Sequence, residues 1–446
     1  MNKEKKYYVE SNWLGKKQYR EVREGTEQML NSVDKEKILE IRNMDVTYGH
    51  GAKTFYALKD FNLNIYKGEV LGLVGESGSG KTTAGKAIIG LTPHSFGQIK
   101  ILDRVIPKNK NKVFKWSKKG KDIINFMVNK VQMIFQDPTN SLNPFKDVES
   151  IIGEGLTNTK NAKEIYIYNY DSRVKKEIYG ELCNIHHKEF FGEYEKWLDK
   201  ELAIDEKKAY QAFYVDFYSK VKELKNNYLN KFLNNYIVER EKISKLTEKE
   251  AKALLIREIL SSVGLDETVL GRYPLEFSGG QQQRIGICRA IVLKPQILIA
   301  DEPISALDVS IQAQVINIFK ELKEKYDLTI LFIAHDLRMV EYISDRIAVM
   351  NKGTLLEVGP AKSIVHNPHH PYTQSLLDAV PSIEAEKGSL VGETYDPNIH
   401  NYDEKNQPKW IQVGEQHFVL ASENEIEEFK QKAVEYRNKK INLTNQ

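Results

Sequence analysis

Apolar residues along this chain fall into short runs separated by turns, and the run lengths constrain the elements before any motif is read. Lys59-Asp60-Phe61-Asn62-Leu63-Asn64-Ile65 alternates polar and apolar, the period of a strand with one buried face, and Lys67-Gly68-Glu69 follows as a turn. Val70 to Val74 is then apolar without interruption, as expected of a strand covered on both faces. Thr83 to Leu91 reads as a helix behind it. Two further apolar runs, Ile297–Ala300 and Ile330–Ala334, stop far short of the ~18 residues that a membrane helix needs. The segment from Met1 to Lys17 is charged and lacks the apolar stretch of about 7 to 15 residues found in a signal peptide. Both readings predict a protein that stays inside the cell and does not span a bilayer.

Composition narrows this picture only a little. At about 150 residues per domain, 446 residues hold two to three domains' worth of chain. The 41% hydrophobic and 28% charged residues are ordinary globular values, which excludes whole-chain disorder, collagen and coiled-coil rods. Lys and Arg number 65 against 62 Asp and Glu, a surplus of +3 that selects no acidic or nucleic-acid partner for the whole chain. Cys183 and Cys288 are too few and too far apart for a disulfide framework or a metal cluster, and Cys288 is expected as a small core residue.

Chemistry enters directly after the Val70–Val74 run. Gly75-Glu76-Ser77-Gly78-Ser79-Gly80-Lys81-Thr82 carries glycines at the first and sixth positions, then Lys and Thr, between a buried strand and a helix. Glycines let the backbone wrap so that successive N–H groups and the helix N-terminus face phosphate oxygens. Lys81 is placed to reach the β- and γ-phosphates, and the Thr82 hydroxyl to ligate Mg²⁺. Far downstream the Ile297–Ala300 run ends in Asp301 and Glu302, at the strand end where open α/β sheets bind ligands. Asp301 suits the Mg²⁺ shell and Glu302 suits a general base for water attacking the γ-phosphate. Phe277-Ser278-Gly279-Gly280-Gln281-Gln282-Gln283-Arg284 opens another helix, whose hydroxyl and N–H groups form a second anion site.

Taken together, these residues resemble the ATP-binding-cassette (ABC) ATPases, whose signature stands here as Phe277 to Gln281. Gln136, within Met133-Ile134-Phe135-Gln136-Asp137-Pro138, matches the Q-loop; Ser305-Ala306-Leu307-Asp308 matches the D-loop; His335 matches the switch histidine. The resemblance implies an α/β fold: a P-loop NTPase ABC core with a RecA-like parallel sheet, an antiparallel β subdomain and an α-helical subdomain, and about 140 residues between Gln136 and Ser278 make the helical subdomain here an enlarged one. It implies ATP and Mg²⁺ as cofactors. ATP would be sandwiched between the phosphate loop of one subunit (Gly75, Glu76, Ser77, Gly78, Ser79, Gly80, Lys81, Thr82 and Thr83) and Ser278, Gly279, Gly280 and Gln281 of the other, with Asp308 beside them. Glu302, His335 and Gln136 would be catalytic, and Thr82, Gln136 and Asp301 would hold Mg²⁺. Tyr48 is the candidate for stacking on adenine, with Tyr56 as the weaker alternative.

Longer segments resemble the oligopeptide and dipeptide importers, in particular their F-type ATPase subunit. These are Asp301 through Val315, Ser141-Leu142-Asn143-Pro144, Ile343-Ser344-Asp345-Arg346, Asn367-Pro368-His369-His370-Pro371-Tyr372-Thr373 and Ala379-Val380-Pro381. The resemblance implies a D-type ATPase as heterodimer partner, two membrane-spanning permease subunits, an extracytoplasmic peptide-binding protein and a place on the cytoplasmic face of the membrane. Nucleic acid is not an expected partner. The competing readings are a non-transport cassette ATPase acting on ribosomes or nucleic acid, and a binding module that never hydrolyses ATP.

Domain boundaries follow from where the resemblance stops. Residues 1–36 read as an N-terminal extension, 37–156 as the first part of the ATPase domain, 157–250 as a helical insertion, 251–385 as the second part and 386–446 as a C-terminal extension. The insertion has no proline and only Gly180 and Gly192, and it carries Tyr210, Tyr214 and Tyr218 at helical spacing beside Phe213 and Phe217. Internal packing of that stripe is expected, with a docking surface as the alternative. Arg104 to Lys121 holds eight Lys or Arg and no acid, with Phe114 and Trp116 among them, and reads as a solvated loop. His366, His369 and His370 are assigned to the family's C-terminal segment and not to a metal. The tail, with Tyr395, Tyr402 and Trp410, is too aromatic for a disordered end.

Overall fold

The computed structural model describes residues 6–11, 15–49, 51–109, 117–137, 141–157, 162–184, 215, 218–305, 307–379, 395–400, 402–403 and 406–444. Tyr210, Phe213, Tyr214 and Phe217 of the aromatic stripe, and Phe114 and Trp116 of the basic loop, lie outside the described residues. The chain divides into two compact units, Met1–Leu142 with Phe277–Gln446, and Asn143–Glu276.

In the first unit, strands β1 (Tyr7–Ser11) and β2 (Lys17–Glu21) form an antiparallel pair. A four-stranded antiparallel sheet follows, in the order β4-β3-β6-β7, from β3 (Lys37–Tyr48), β4 (Phe55–Tyr66), β6 (Phe96–Ile101) and β7 (Arg104–Ile106). The main sheet has eight strands, ordered β13-β14-β12-β11-β5-β10-β9-β8. Its parallel part comprises β5 (Val70–Val74), β8 (Val131–Ile134), β9 (Ile297–Asp301), β10 (Thr329–Ala334) and β11 (Arg346–Asn351). Every residue of β5, β9 and β10 is buried, which is why these strands read as unbroken apolar runs in place of alternating ones.

Three antiparallel strands complete the sheet: β12 (Thr354–Pro360), β13 (Lys409–Gly414) and β14 (His417–Ala421). The last two come from the 386–446 segment, so part of that segment is built into the main sheet. His417-Phe-Val-Leu-Ala is buried at all positions. The Trp410 N–H donates to the Glu24 carbonyl at 2.9 Å. At Gly25, where φ is 80°, a Cβ would stand 2.0 Å from the Trp410 carbonyl oxygen, so only glycine permits the approach.

The carboxylate of Glu357 on β12 ties these segments together. It is fully buried, accepts the backbone N–H groups of His369 and His370 at 2.8 and 3.1 Å, and sits 2.8 Å from Nε2 of His417. Nδ1 of His417 meets the Ser363 hydroxyl at 2.8 Å, and the His369 ring stands edge-on to the His417 ring at 5.0 Å. The three histidines of the C-terminal segment take different roles. His366 pairs with Glu341 at 2.8 Å, His369 lies beside Glu357 and His417, and Nδ1 of His370 accepts the Tyr372 N–H at 3.1 Å to cap the helix Pro371–Asp378.

The second unit is helical, with α-helices at Ala162–Asn184, Asn227–Ser244 and Glu248–Ser262. Val174, Ile178, Val221, Leu229, Leu233 and Tyr236 form its apolar cluster, and Tyr218, the one described member of the aromatic stripe, packs against it. Asp171 is 1% exposed; it accepts from the Tyr236 hydroxyl and, at 3.0 Å, from Nε of Arg240. Burial pushes the Asp171 carboxyl up to about 6 against the pull of Arg240 and Tyr236.

Two stability measurements follow. Arg240→Ala leaves the Asp171 carboxylate buried with one partner lost, and a cost of about 3 kcal/mol at pH 7 is expected by denaturant titration. A change under 0.5 kcal/mol would contradict the buried pair. Burial holds the His369 imidazole down at about 4, above all by desolvation. The unfolded chain takes up this proton near pH 6.5 and the folded chain does not, so stability falls as pH drops from 6.5 toward 4, by about 2 kcal/mol at pH 5. Burial also holds His94 at about 4 and His370 at about 3, so His369→Leu should remove only its own share, about 2 kcal/mol at pH 5, and make that part of the pH profile shallower; an unchanged slope would contradict the assignment.

Candidate functional site

Register alone gathers the motif residues. β5, β10, β9 and β8 are adjacent and parallel, with Ala334 opposite Val74, Asp301 opposite Ile333 and Ile134 opposite Ala300. Their carboxyl ends therefore release the phosphate loop (after β5), His335 (after β10), Asp301 and Glu302 (at the end of β9) and Gln136 (after β8) along one edge.

The phosphate loop turns on three glycines with separate reasons. At Gly75 a Cβ would lie 2.1 Å from the Met350 carbonyl oxygen, at Gly80 (φ 104°) 2.6 Å from that of Ala57, and Gly78 has φ 80° in open space. Gly80 is the N-cap of the helix Lys81–Ile88, so the first N–H groups of that helix face into the loop. Lys81 is 4% exposed, and its ammonium donates to the carbonyls of Gly75 at 2.7 Å and Glu76 at 2.8 Å. Burial holds its pKa below the ordinary lysine value, opposed by Glu302, Asp301 and Glu76.

The Thr82 hydroxyl donates to Oδ1 of Asp301 at 2.9 Å, and burial raises the Asp301 carboxyl above its ordinary range against that hydrogen bond. Glu302 adopts φ 44°, the left-handed region, with its N–H on the Ile333 carbonyl at 2.9 Å. The turn aims its carboxylate across the neighbouring strands. Oε2 accepts from Nε2 of Gln136 at 2.9 Å and lies 3.6 Å from Nδ1 of His335.

The Ser278–Gln281 turn is organised differently. The Ser278 hydroxyl accepts the Gln281 N–H at 3.4 Å while the Gln281 side chain accepts the Ser278 N–H at 3.1 Å, a reciprocal cap on the helix Gly279–Ile291. At Gly280 a Cβ would meet the Ile311 side chain at 2.7 Å, so glycine is needed where the helix Val309–Tyr326 passes. Asp308 is the N-cap of that helix, and its carbonyl accepts the N–H groups of Ile311 and Gln312.

Tyr48 ends β3, 48% exposed, directly opposite Phe55 of β4, while Tyr56 faces Thr47 one position along. Strand alternation puts Tyr48 and Phe55 on one face and Tyr56 on the other. Phe55 is 64% exposed and passed unnoticed in the sequence, where its pairing with Tyr48 across the turn leaves no local signal. Tyr372 was also missed: its hydroxyl accepts the Glu76 N–H at 2.9 Å from 296 residues away.

Comparison with known proteins places this geometry. Residues 58–305 match the ABC transporter family, and residues 356–404 match the oligopeptide/dipeptide transporter C-terminal region. The oligopeptide transport ATP-binding protein OppF of Streptococcus pyogenes serotype M1 is 39% identical over 398 residues, covering 88% of this chain and 98% of that protein. AmiF, an oligopeptide transport ATP-binding protein of Streptococcus pneumoniae serotype 4, is 37% identical over 395 residues, covering 88% and 97%. OppF of Bacillus subtilis is 37% identical over 395 residues, covering 88% and 99%. With both family regions matched and nearly the whole of each relative spanned, the chain belongs to the ATP-binding proteins of the ABC transporters, in their oligopeptide and dipeptide group.

Proposed function

We propose that this chain is the ATP-hydrolysing subunit of an importer of oligopeptides, working at the cytoplasmic face of the membrane. The observation that carries the catalytic part is the Glu302 carboxylate, aimed by a left-handed turn to lie between Gln136 and His335. In this reading Glu302 takes the proton from the attacking water, Gln136 orients Glu302 and that water, and His335 stabilises the charge that develops on the γ-phosphate. Lys81 keeps the Gly75 carbonyl as a partner and turns its two remaining N–H donors to β- and γ-phosphate oxygens, releasing the Glu76 carbonyl. Backbone N–H groups from Ser77 to Thr83 surround the phosphates, and Tyr48 stacks on adenine with Phe55 beside it.

The donor set suits Mg²⁺, a hard cation that takes oxygen ligands and one or two carboxylates. The Thr82 hydroxyl and the Asp301 carboxylate already lie 2.9 Å apart, and Gln136 offers an amide oxygen nearby. Bound there, Mg²⁺ would neutralise charge on the transferring phosphate. Ser278, Gly279, Gly280, Gln281 and Asp308 would serve the nucleotide of a facing subunit, for which a D-type ATPase is the proposed partner. No helix among the described residues is long and apolar enough to cross a membrane, and two permease subunits would supply the path, fed by an extracytoplasmic binding protein.

Two experiments test this. Glu302→Gln should retain binding of a fluorescent ATP analogue and lose about 10²- to 10⁴-fold in phosphate release by the assembled complex; steady turnover near the native rate removes Glu302 as the base. Purifying the tagged chain from native cells in mild detergent should recover two membrane subunits and a second cassette ATPase by mass spectrometry. Recovery with ribosomal proteins or nucleic acid, and no membrane subunits, would overturn the importer reading.

A further inference from the structure

The peptide unit joining Gly75 to Glu76 is gripped at both ends. Its carbonyl, on Gly75, accepts the Lys81 ammonium at 2.7 Å, and its N–H, on Glu76, donates to the Tyr372 hydroxyl at 2.9 Å. A trans peptide points its C=O and N–H in opposite directions, so anchoring one fixes the other. Tyr372 lies on the far side of the loop from the lysine, and the peptide plane connects them. Flipping or tilting that plane would break the Tyr372 bond and withdraw a carbonyl from Lys81 in one movement. Hydrogen bonds in series through one amide also polarise each other.

Tyr372 is itself tightly fixed. It is fully buried, and burial pushes its phenol up to about 12, so the hydroxyl is neutral and its lone pairs are available to the Glu76 N–H. The backbone before it is held by Glu357, which accepts the His369 and His370 N–H groups, and by the His370 cap on the Tyr372 N–H. Its ring meets the Tyr395 ring edge-on at 5.2 Å; the Tyr395 hydroxyl pairs with Nε2 of His400 at 2.7 Å, and the other nitrogen of His400 pairs with Glu425. Residues of the 395–425 segment thus form the wall that holds a phenol against the phosphate loop.

We infer that Tyr372 is a positioning residue for the nucleotide site, fixing the Gly75–Glu76 peptide so that Lys81 is presented to the phosphates, and that the C-terminal segment is thereby part of the ATP-binding apparatus. The inference rests on the reading of Lys81 as the phosphate ligand. Without the Tyr372 hydroxyl the peptide is free to rotate, Lys81 samples orientations away from the phosphates, and affinity for ATP falls while the base, Glu302, stays in place.

The test is nucleotide affinity of the full chain, read with fluorescent ATP and ADP analogues and with adenosine, together with KM and kcat of the assembled complex. Tyr372→Phe keeps the ring and removes the hydroxyl. It should raise the dissociation constant for ATP and ADP about three- to tenfold, leave adenosine binding unchanged and raise KM with kcat within about twofold. Equal losses for adenosine and ATP would mean general damage, and unchanged affinity would mean no positioning role; either overturns the inference. Should Tyr372→Phe fail to fold, 3-fluorotyrosine at 372 reads the same bond, since it keeps the ring and weakens the acceptor oxygen. Unchanged ATP affinity with that residue is equally fatal. Lys81→Ala separates this from the underlying reading. If it leaves ATP binding intact, the lysine is not the phosphate ligand and both fall; if it abolishes binding while Tyr372→Phe has no effect, only the inference falls.

Discussion

The parallel register of four neighbouring strands is the constraint on which the rest of this molecule depends. β8, β9, β10 and β5 hydrogen-bond in one order, and each ends in a residue or loop of the candidate site. Because side chains alternate along a strand, a one-residue slip of β9 would turn Asp301 away from Thr82. β5, β9 and β10 are buried on both faces and almost wholly apolar, so apolar packing sets the register, and the charged residues Asp301 and Glu302 stand at the edge where packing stops. Among the described residues of the site, Glu302 is the one non-glycine residue held in the left-handed region. A left-handed glutamate is unfavourable by roughly 1 kcal/mol or more, and the turn that imposes it carries the carboxylate to Gln136 and His335.

What was legible in the sequence was what is local. Val70 to Val74 is strand β5, and Ile297–Ala300 and Ile330–Ala334 fall within β9 and β10, because unbroken apolar runs of that length are a direct signature of strands covered on both faces. The phosphate loop was legible for the same reason: its glycines, lysine and threonine follow each other along a few residues, Gly75 and Gly80 answering to close backbone contacts and Gly78 to a left-handed φ. Tyr372 and Phe55 were not. Each matters through a partner that the fold brings to it, across 296 residues in one case and across a strand pair in the other, and neither pairing leaves a trace in spacing or period.

The C-terminal segment shows the same limit from another side. Its aromatic content argues against a disordered end, and among the described residues Tyr395 packs against Tyr372 and Trp410 lies at Gly25. The sequence held no sign that His417 would meet Glu357, because a lone histidine in an apolar strand and a lone glutamate in another carry no mark of each other. Their pairing is the kind of buried interaction that selects one arrangement of segments over others. Glu357 accepts from His369 and His370 as well, so a strand, a loop and a helix cap are all specified by one carboxylate.

Electrostatics link that distant scaffold to the chemistry. Lys81 is buried, and among the described residues its hydrogen-bond partners are neutral: two carbonyls and, at 3.5 Å, the Ser79 hydroxyl. Desolvation depresses its pKa, while Asp301 and Glu302 nearby act to keep it charged. A cation held mainly by dipoles gains more from a phosphate than one already neutralised by a carboxylate, because no ion pair has to be broken first. The arrangement works only if the dipoles stay aimed. The Gly75 carbonyl is the shortest of these contacts, and its peptide is anchored at the other end by a buried phenol, so the strength of the lysine's preference for phosphate depends on how firmly the C-terminal segment is folded.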